Sequence, residues 1–131
     1  MCGIIGAAST RNVGRILVNG LKKMEYRGYD SAGLVLNKEN KAIQLRTLGK
    51  VSKLEELMVQ KKPRAKSGIA HTRWATHGEP SQKNAHPHSS NGSIYIVHNG
   101  IIENHDELRE RLSNGGYKIE SETDSELIAH L

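Results

Sequence analysis

A chain of 131 residues with 36% hydrophobic and 4% aromatic residues, and no Phe, is a single domain whose core has to be filled by Ile, Leu, Val and Met. Charged residues at 25% exclude a disordered polyelectrolyte, and a net charge of +5 permits an anionic partner without demanding one. The single cysteine excludes a disulfide framework and a multi-cysteine zinc site; with no apolar run near the ~20 residues of a membrane span and no secretory leader, the expected setting is a reducing cytoplasm.

Residues 2–8 are apolar and Gly-punctuated and read as a strand. Val13, Ile16, Leu17, Leu21 and Met24 recur on one face of a helix that Gly28 stops. Residues 32–37 and 42–48 read as a hairpin turned at Lys38, Glu39, Asn40 and Lys41. Ser52 and Glu55 have capping-box spacing ahead of Leu54, Leu57 and Met58, which predicts a short helix closed by Pro63. Residues 67–71 are a further candidate strand. Residues 75–92 carry Gly78, Pro80, Asn84, Pro87, Asn91 and Gly92 and read as a long loop, of a length that is usually functional. Residues 93–98 read as a strand. Asn104 opens a helix through Leu108 and Leu112, with acids early and Arg109 and Arg111 late, and Gly115-Gly116 stops it. Thr123 and Glu126 repeat the capping-box spacing before Leu127, Ile128 and Leu131, and the apolar pattern is still running at Leu131, which predicts a truncated domain.

Four places carry candidate chemistry. Cys2 is a small buried hydrophobe on one reading. On the other, removal of Met1 leaves a thiol beside its own α-amine, whose pKa of ~7.7–8.0 suits it to take the thiol proton. In the segment HTRWATHG, Arg73 offers a planar fork for a carboxylate, with Thr72, Thr76 and His77 as further donors; Arg73 stacked on Trp74 is the structural alternative. His71, His77, His86 and His88 read as surface loop histidines rather than zinc ligands, because no acid stands at ligand spacing. The shortage of aromatics argues against a nucleic-acid surface. Asn99-Gly100 is a strong hairpin signal, or alternatively an oxyanion hole made of the Asn99 amide and the Gly100 N–H. Asp124 favours a helix N-terminus, or holds a substrate ammonium. Arg27 and Asp30 read as a structural ion pair.

Taken in order, CGIIG after Met1, EYRGYDSAG at 25–33, GIAHTRWATHGEP at 68–80, NAHPH at 84–88, VHNGIIENHDELR at 97–109 and SETDSELIAHL at 121–131 span the chain. This series resembles the N-terminal glutaminase domain of the glucosamine-6-phosphate synthases, the glutamine–fructose-6-phosphate amidotransferases. The phosphoribosyl-pyrophosphate amidotransferases share the nucleophile and the RG-x-DSAG element, but EYRGYDSAG and HTRWATHGEP look like the former. The resemblance implies an α+β N-terminal nucleophile fold, a four-layer αββα sandwich incomplete over residues 1–131, which would be the N-terminal part of a class II glutamine amidotransferase domain without the sugar-isomerase domains.

It further implies that Cys2 attacks the glutamine amide to form a thioester with its α-amine as base. Asn99 and Gly100 would form the oxyanion hole. Arg73 would bind the α-carboxylate of L-glutamine and Asp124 its α-amino group. Trp74, Thr76 and His77 would line the site, and His86 would belong to its surroundings. The ammonia would serve the conversion of fructose-6-phosphate to glucosamine-6-phosphate in amino-sugar biosynthesis, in a cytoplasmic, homo-oligomeric full-length enzyme with no cofactor, metal, nucleic acid or membrane partner. The 131 residues alone would be poorly soluble and inactive. The competing class is a non-catalytic basic module.

Overall fold

Alternation along β2 (Ser31–Lys38) sets the frame: Ala32, Leu34 and Leu36 enter the core on one side, while Gly33 and Val35 face the other. A computed structural model of the chain describes residues 2–75 and 77–131. In it β1 (Gly3–Ala8), β4 (Ser67–Arg73), β2 and β3 (Lys41–Leu48) form one antiparallel sheet in the order β1-β4-β2-β3. The helices α1 (Gly14–Met24) and α2 (Val51–Lys61) cover one face, putting Val13, Leu17, Leu21, Val51 and Leu54 against Leu34, Leu36 and Ala70. Each fully buried Leu or Val there is worth about 1.5–3 kcal/mol of apolar transfer. Beyond the other face lie a two-stranded sheet, β5 (His88–Ser90) with β6 (Ile94–Ile96), and the helices α3 (His105–Asn114) and α4 (Ser125–His130), of which α4 packs on β5 and β6. Among the described residues, no helix is long and apolar enough to cross a membrane.

Several local expectations shift. The hairpin β2–β3 turns at Glu39 and Asn40, both at positive φ, inside the predicted tetrad. The helix face starting at Val13 ends at Met24, and a 3-10 turn, Glu25–Arg27, runs on to Gly28. Ser52 and Glu55 do not cap α2. Its first N–H, on Val51, donates to the Glu25 carboxylate at 2.9 Å, so the cap comes from another element. Thr123 and Glu126 make only half of their box: Glu126 N–H reaches Thr123 Oγ1 at 3.4 Å, but the Glu126 carboxylate turns to the N–H groups of Glu120 and Ser121. The loop at 75–92 contains β5, whose polar His-Ser-Ser sequence hid it; it is held by pairing with β6 and not by propensity. Asn99-Gly100 is no hairpin turn, because β6 pairs back to β5 and the chain leaves Gly100 for α3.

The two halves touch closely at Gly33. A Cβ there would lie 1.9 Å from the His86 carbonyl oxygen. Gly33→Ala is therefore expected to cost about 1–3 kcal/mol through overpacking, read as a lowered thermal midpoint; an unchanged midpoint would mean the 85–88 segment gives way freely.

Candidate active site

The antiparallel register of β1 and β4 opposes Gly3 to Thr72, and the Gly3 N–H donates to Thr72 Oγ1 at 3.0 Å. This zips Cys2 onto the residues that follow β4. The Trp74 N–H donates to Cys2 Sγ at 3.1 Å, and the thiol faces the Trp74 carbonyl at 3.5 Å. The sulfur is thus fixed at the mouth of a cleft of about 490 Å³ whose lining includes Cys2, Arg73, Trp74, His77, Asn99, Gly100 and Asp124. The Trp74 ring is 53% exposed and leans over Gly28.

Arg73 is buried beside it. Its terminal nitrogens meet Asp30 Oδ1 at 3.4 Å and the carbonyls of Glu79 at 3.3 Å, Gly78 at 2.9 Å and His77. A cation at this depth is tolerated because one carboxylate and a ring of carbonyls replace its water. The Asp30 carboxylate is thus ion-paired with the Arg73 guanidinium. The His77 ring stands edge-on to His105, with centroids 4.7 Å apart. Thr76 lies outside the described residues, as does Met1.

Asn99 reaches Cys2 from the opposite side. Its Nδ2 donates to the Cys2 carbonyl at 3.1 Å, and its Oδ1 lies 2.7 Å from His71 Nε2. Gly100 follows at φ 149°, a backbone that side-chain-bearing residues resist. On the far wall Asp124 is the N-cap residue of α4, almost fully buried. Its Oδ2 accepts the Ile102 N–H at 2.7 Å and its Oδ1 stands 3.4 Å from the Ser125 hydroxyl. The turn before it is built on buried polar groups. Thr123 Oγ1 meets His88 Nε2 at 2.9 Å, and Glu126 takes hydrogen bonds from the backbone and hydroxyl of Ser121 and from His130. Burial pushes the Glu126 pKa up, but these hydrogen bonds outweigh it and leave the carboxyl below its usual value.

His71, His86 and His88 are buried, against the expectation of surface loop histidines. Their rings run in file, with centroids 3.9 Å apart for His71–His86 and 4.5 Å for His86–His88. Burial is the main cause that pulls the pKa of His71 and of His88 down to about 4, and it lowers His86 further. No group of three or more His, Cys, Asp or Glu among the described residues could hold a metal.

All the predicted site residues that are described converge on this cleft. The sequence reading left out His98, Ile101, Thr123 and Ser125 from its walls, and His71 beneath it. One signal was available for His71: it stands two residues before Arg73 on a strand, hence on the same face. A larger depression of about 840 Å³ opens over β1, β2 and β4, but its lining has no carboxylate, histidine, thiol or cationic side chain.

A thiol, an amide, a buried cation and a buried carboxylate thus meet in one cleft at the end of an antiparallel sheet, and comparison with known proteins gives the class of protein this resembles. Residues 71–131 match the model of the glutamine amidotransferase domain. It is similar over 100% of its length to two proteins named glutamine–fructose-6-phosphate aminotransferase [isomerizing], 61% identical to that of Haemophilus influenzae and 54% to that of Legionella pneumophila strain Paris. The chain spans 22% of the length of these curated relatives. Among solved structures, the glutamine phosphoribosylpyrophosphate amidotransferase from B. subtilis aligns over all of this chain and 29% of its own, with a TM-score of 0.83 and 27% identity. The fold is thus the α+β N-terminal nucleophile type.

Proposed function

We propose that this site hydrolyses the side-chain amide of L-glutamine through a Cys2 thioester and that the ammonia serves amination of fructose-6-phosphate to glucosamine-6-phosphate, in amino-sugar biosynthesis. The observation that carries the reading is Asn99 Nδ2 directed at Cys2, 3.1 Å from its carbonyl, in one cleft with Arg73 and Asp124. A zwitterionic substrate needs one fixed cation and one fixed anion, and these two are buried on facing walls. The 61% identity to an aminotransferase of the fructose-6-phosphate kind, against 27% to the phosphoribosylpyrophosphate one, favours the sugar-phosphate acceptor.

With Met1 removed, the α-amine of Cys2 takes the thiol proton and the sulfur attacks the amide carbon. The carbonyl oxygen becomes an oxyanion between Asn99 Nδ2 and the Gly100 N–H. The C–N bond then breaks, the α-ammonium returns a proton to the leaving nitrogen, and ammonia departs from a glutamyl thioester. Water gives a proton to the amine, attacks the thioester and displaces the sulfur, which leaves glutamate and the thiol. The α-carboxylate binds Arg73 by taking donors now spent on the carbonyls of His77 and Gly78, so binding shifts the backbone at His77 and Gly78. Asp124 Oδ1 faces the α-ammonium.

A glutamine-analogue electrophile is expected to add its mass to Cys2, and glutamine should protect. Arg73→Ala and Asp124→Ala should each slow labelling at low reagent concentration by about 30-fold or more, the loss of one charged contact. Labelling that glutamine fails to suppress, or that both variants leave unchanged, would reduce Cys2 to an ordinary exposed thiol.

A further inference from the structure

The oxyanion reading leaves one buried group without a task. His71 meets the catalytic constellation through a hydrogen bond to Asn99, and its other ring nitrogen, Nδ1, is buried with no hydrogen-bond partner among the described residues. A polar atom left unsatisfied at this depth is costly, so the ring has to be repaid on its other side.

The Asn99 amide could in principle sit either way round. The Cys2 carbonyl settles it, because a carbonyl only accepts, so the group facing it at 3.1 Å is Nδ2. Oδ1 then faces His71, and since Oδ1 also only accepts, His71 Nε2 must carry the proton. Nδ1 is consequently the bare nitrogen of a neutral ring. Burial, which holds the His71 pKa near 4, keeps the ring neutral at physiological pH and so keeps this single donor in place. The ring itself cannot swing. It lies on the His86 ring at 3.9 Å and 15° between planes, and the backbone under His86 closes on Gly33, the β2 residue paired with His71 on β4. Of the two hydrogens on Asn99 Nδ2, one is spent on Cys2 and the second is free for the developing oxyanion.

We propose that His71 is a positioning residue: by donating from Nε2 to Asn99 Oδ1 it holds the Asn99 amide with Nδ2 turned to the developing oxyanion. This rests on Asn99 being the oxyanion donor. Without His71 the amide can rotate about its last torsion, and the oxyanion loses a pre-oriented donor while glutamine keeps its charged contacts.

The test is glutamine hydrolysis by protein purified with Cys2 as its first residue. His71→Leu is expected to lower kcat by about 10- to 100-fold with the glutamine KM little changed. His71→Gln, whose amide N–H can still reach Asn99 Oδ1, should recover part of that loss. Asn99→Ala should lower kcat by about 10²–10³-fold, and the double variant His71→Leu/Asn99→Ala should be no slower than Asn99→Ala, because the histidine acts through the asparagine. Full kcat in His71→Leu beside a slow Asn99→Ala, or losses that multiply in the double variant, would overturn the positioning role and leave the oxyanion reading intact. Full kcat in Asn99→Ala would overturn both. A measurement on the unaltered protein covers the case of a variant that does not fold: ¹⁵N chemical shifts should show His71 protonated on Nε2 and bare on Nδ1 at neutral pH, and the opposite tautomer would sink the proposal.

Discussion

Cys2→Ala is expected to leave no measurable glutamine hydrolysis in a protein that still folds. The thiol is the one cysteine of the chain, so no other thiol can substitute. What it gives up structurally is small. The Trp74 N–H loses an acceptor at 3.1 Å, but Trp74 is exposed and water can take the place of sulfur, so the stability cost should stay under about 1 kcal/mol. The variant also discriminates against a rival nucleophile. Ser125 lines the same cleft, with its hydroxyl 3.0 Å from His98 Nδ1 and 3.4 Å from Asp124 Oδ1, an arrangement of hydroxyl, imidazole and carboxylate. Ser125 is buried while Cys2 is partly open, and Asp124 is already tied to the Ile102 N–H, which argues for the thiol. Release of glutamate and ammonia, followed with the Cys2→Ala protein, decides between them. Hydrolysis that survives Cys2→Ala and disappears in Ser125→Ala would move the nucleophile to Ser125.

The parts of the site legible in the sequence were those whose chemistry is local. Cys2 announces itself by position, Arg73 and Trp74 by being adjacent, and Asn99-Gly100 by a pair of residues with few uses. Even so, Asn99-Gly100 reads first as a hairpin turn, and only the pairing of β6 with β5 removes that reading. Most of the helices and the β2–β3 hairpin follow from apolar periodicity, since a face must be buried somewhere. What stayed hidden depends on partners distant in the chain. Glu25 caps a helix that begins at Val51, and Glu126 satisfies Ser121 instead of completing its own box. The file of His71, His86 and His88 joins a strand to a loop and to a second strand. A polar run such as 84–90 looks like solvated loop until the segments around it supply hydrogen bonds that water otherwise would.

That file of histidines gives the second large expected effect, an acid sensitivity that sets in well above the carboxylate range. His71, His86 and His88 are buried and neutral, and their pKa values lie below the unfolded value of 6.5, at about 4 for His71 and His88. Charging any of them is opposed first by burial and then by neighbouring positive charge: His71 and His86 face Arg73, and His88 faces Arg46, while the Glu126 carboxylate favours the charged form of His88. The unfolded chain therefore binds more protons than the folded one once the pH drops below 6.5, so stability falls with falling pH, and for His71 and His88 the loss levels off near pH 4. At about pH 5 each such histidine should have removed about 2 kcal/mol, a total comparable with the whole stability of a small domain. Urea midpoints taken from neutral pH down to about pH 5 should therefore drop steeply, by two to three protons' worth of slope. A His88→Asn variant, which keeps a polar partner for Thr123 without a titrating ring, should lose stability at neutral pH and show a shallower slope. A flat stability profile down to pH 5 would mean that the rings are hydrated and that the file does not form. At the Asn99 end of the file the extra proton goes to the bare Nδ1 of His71, so the Nε2 donor to Asn99 Oδ1 survives protonation of the ring and is lost only as the fold around it loosens.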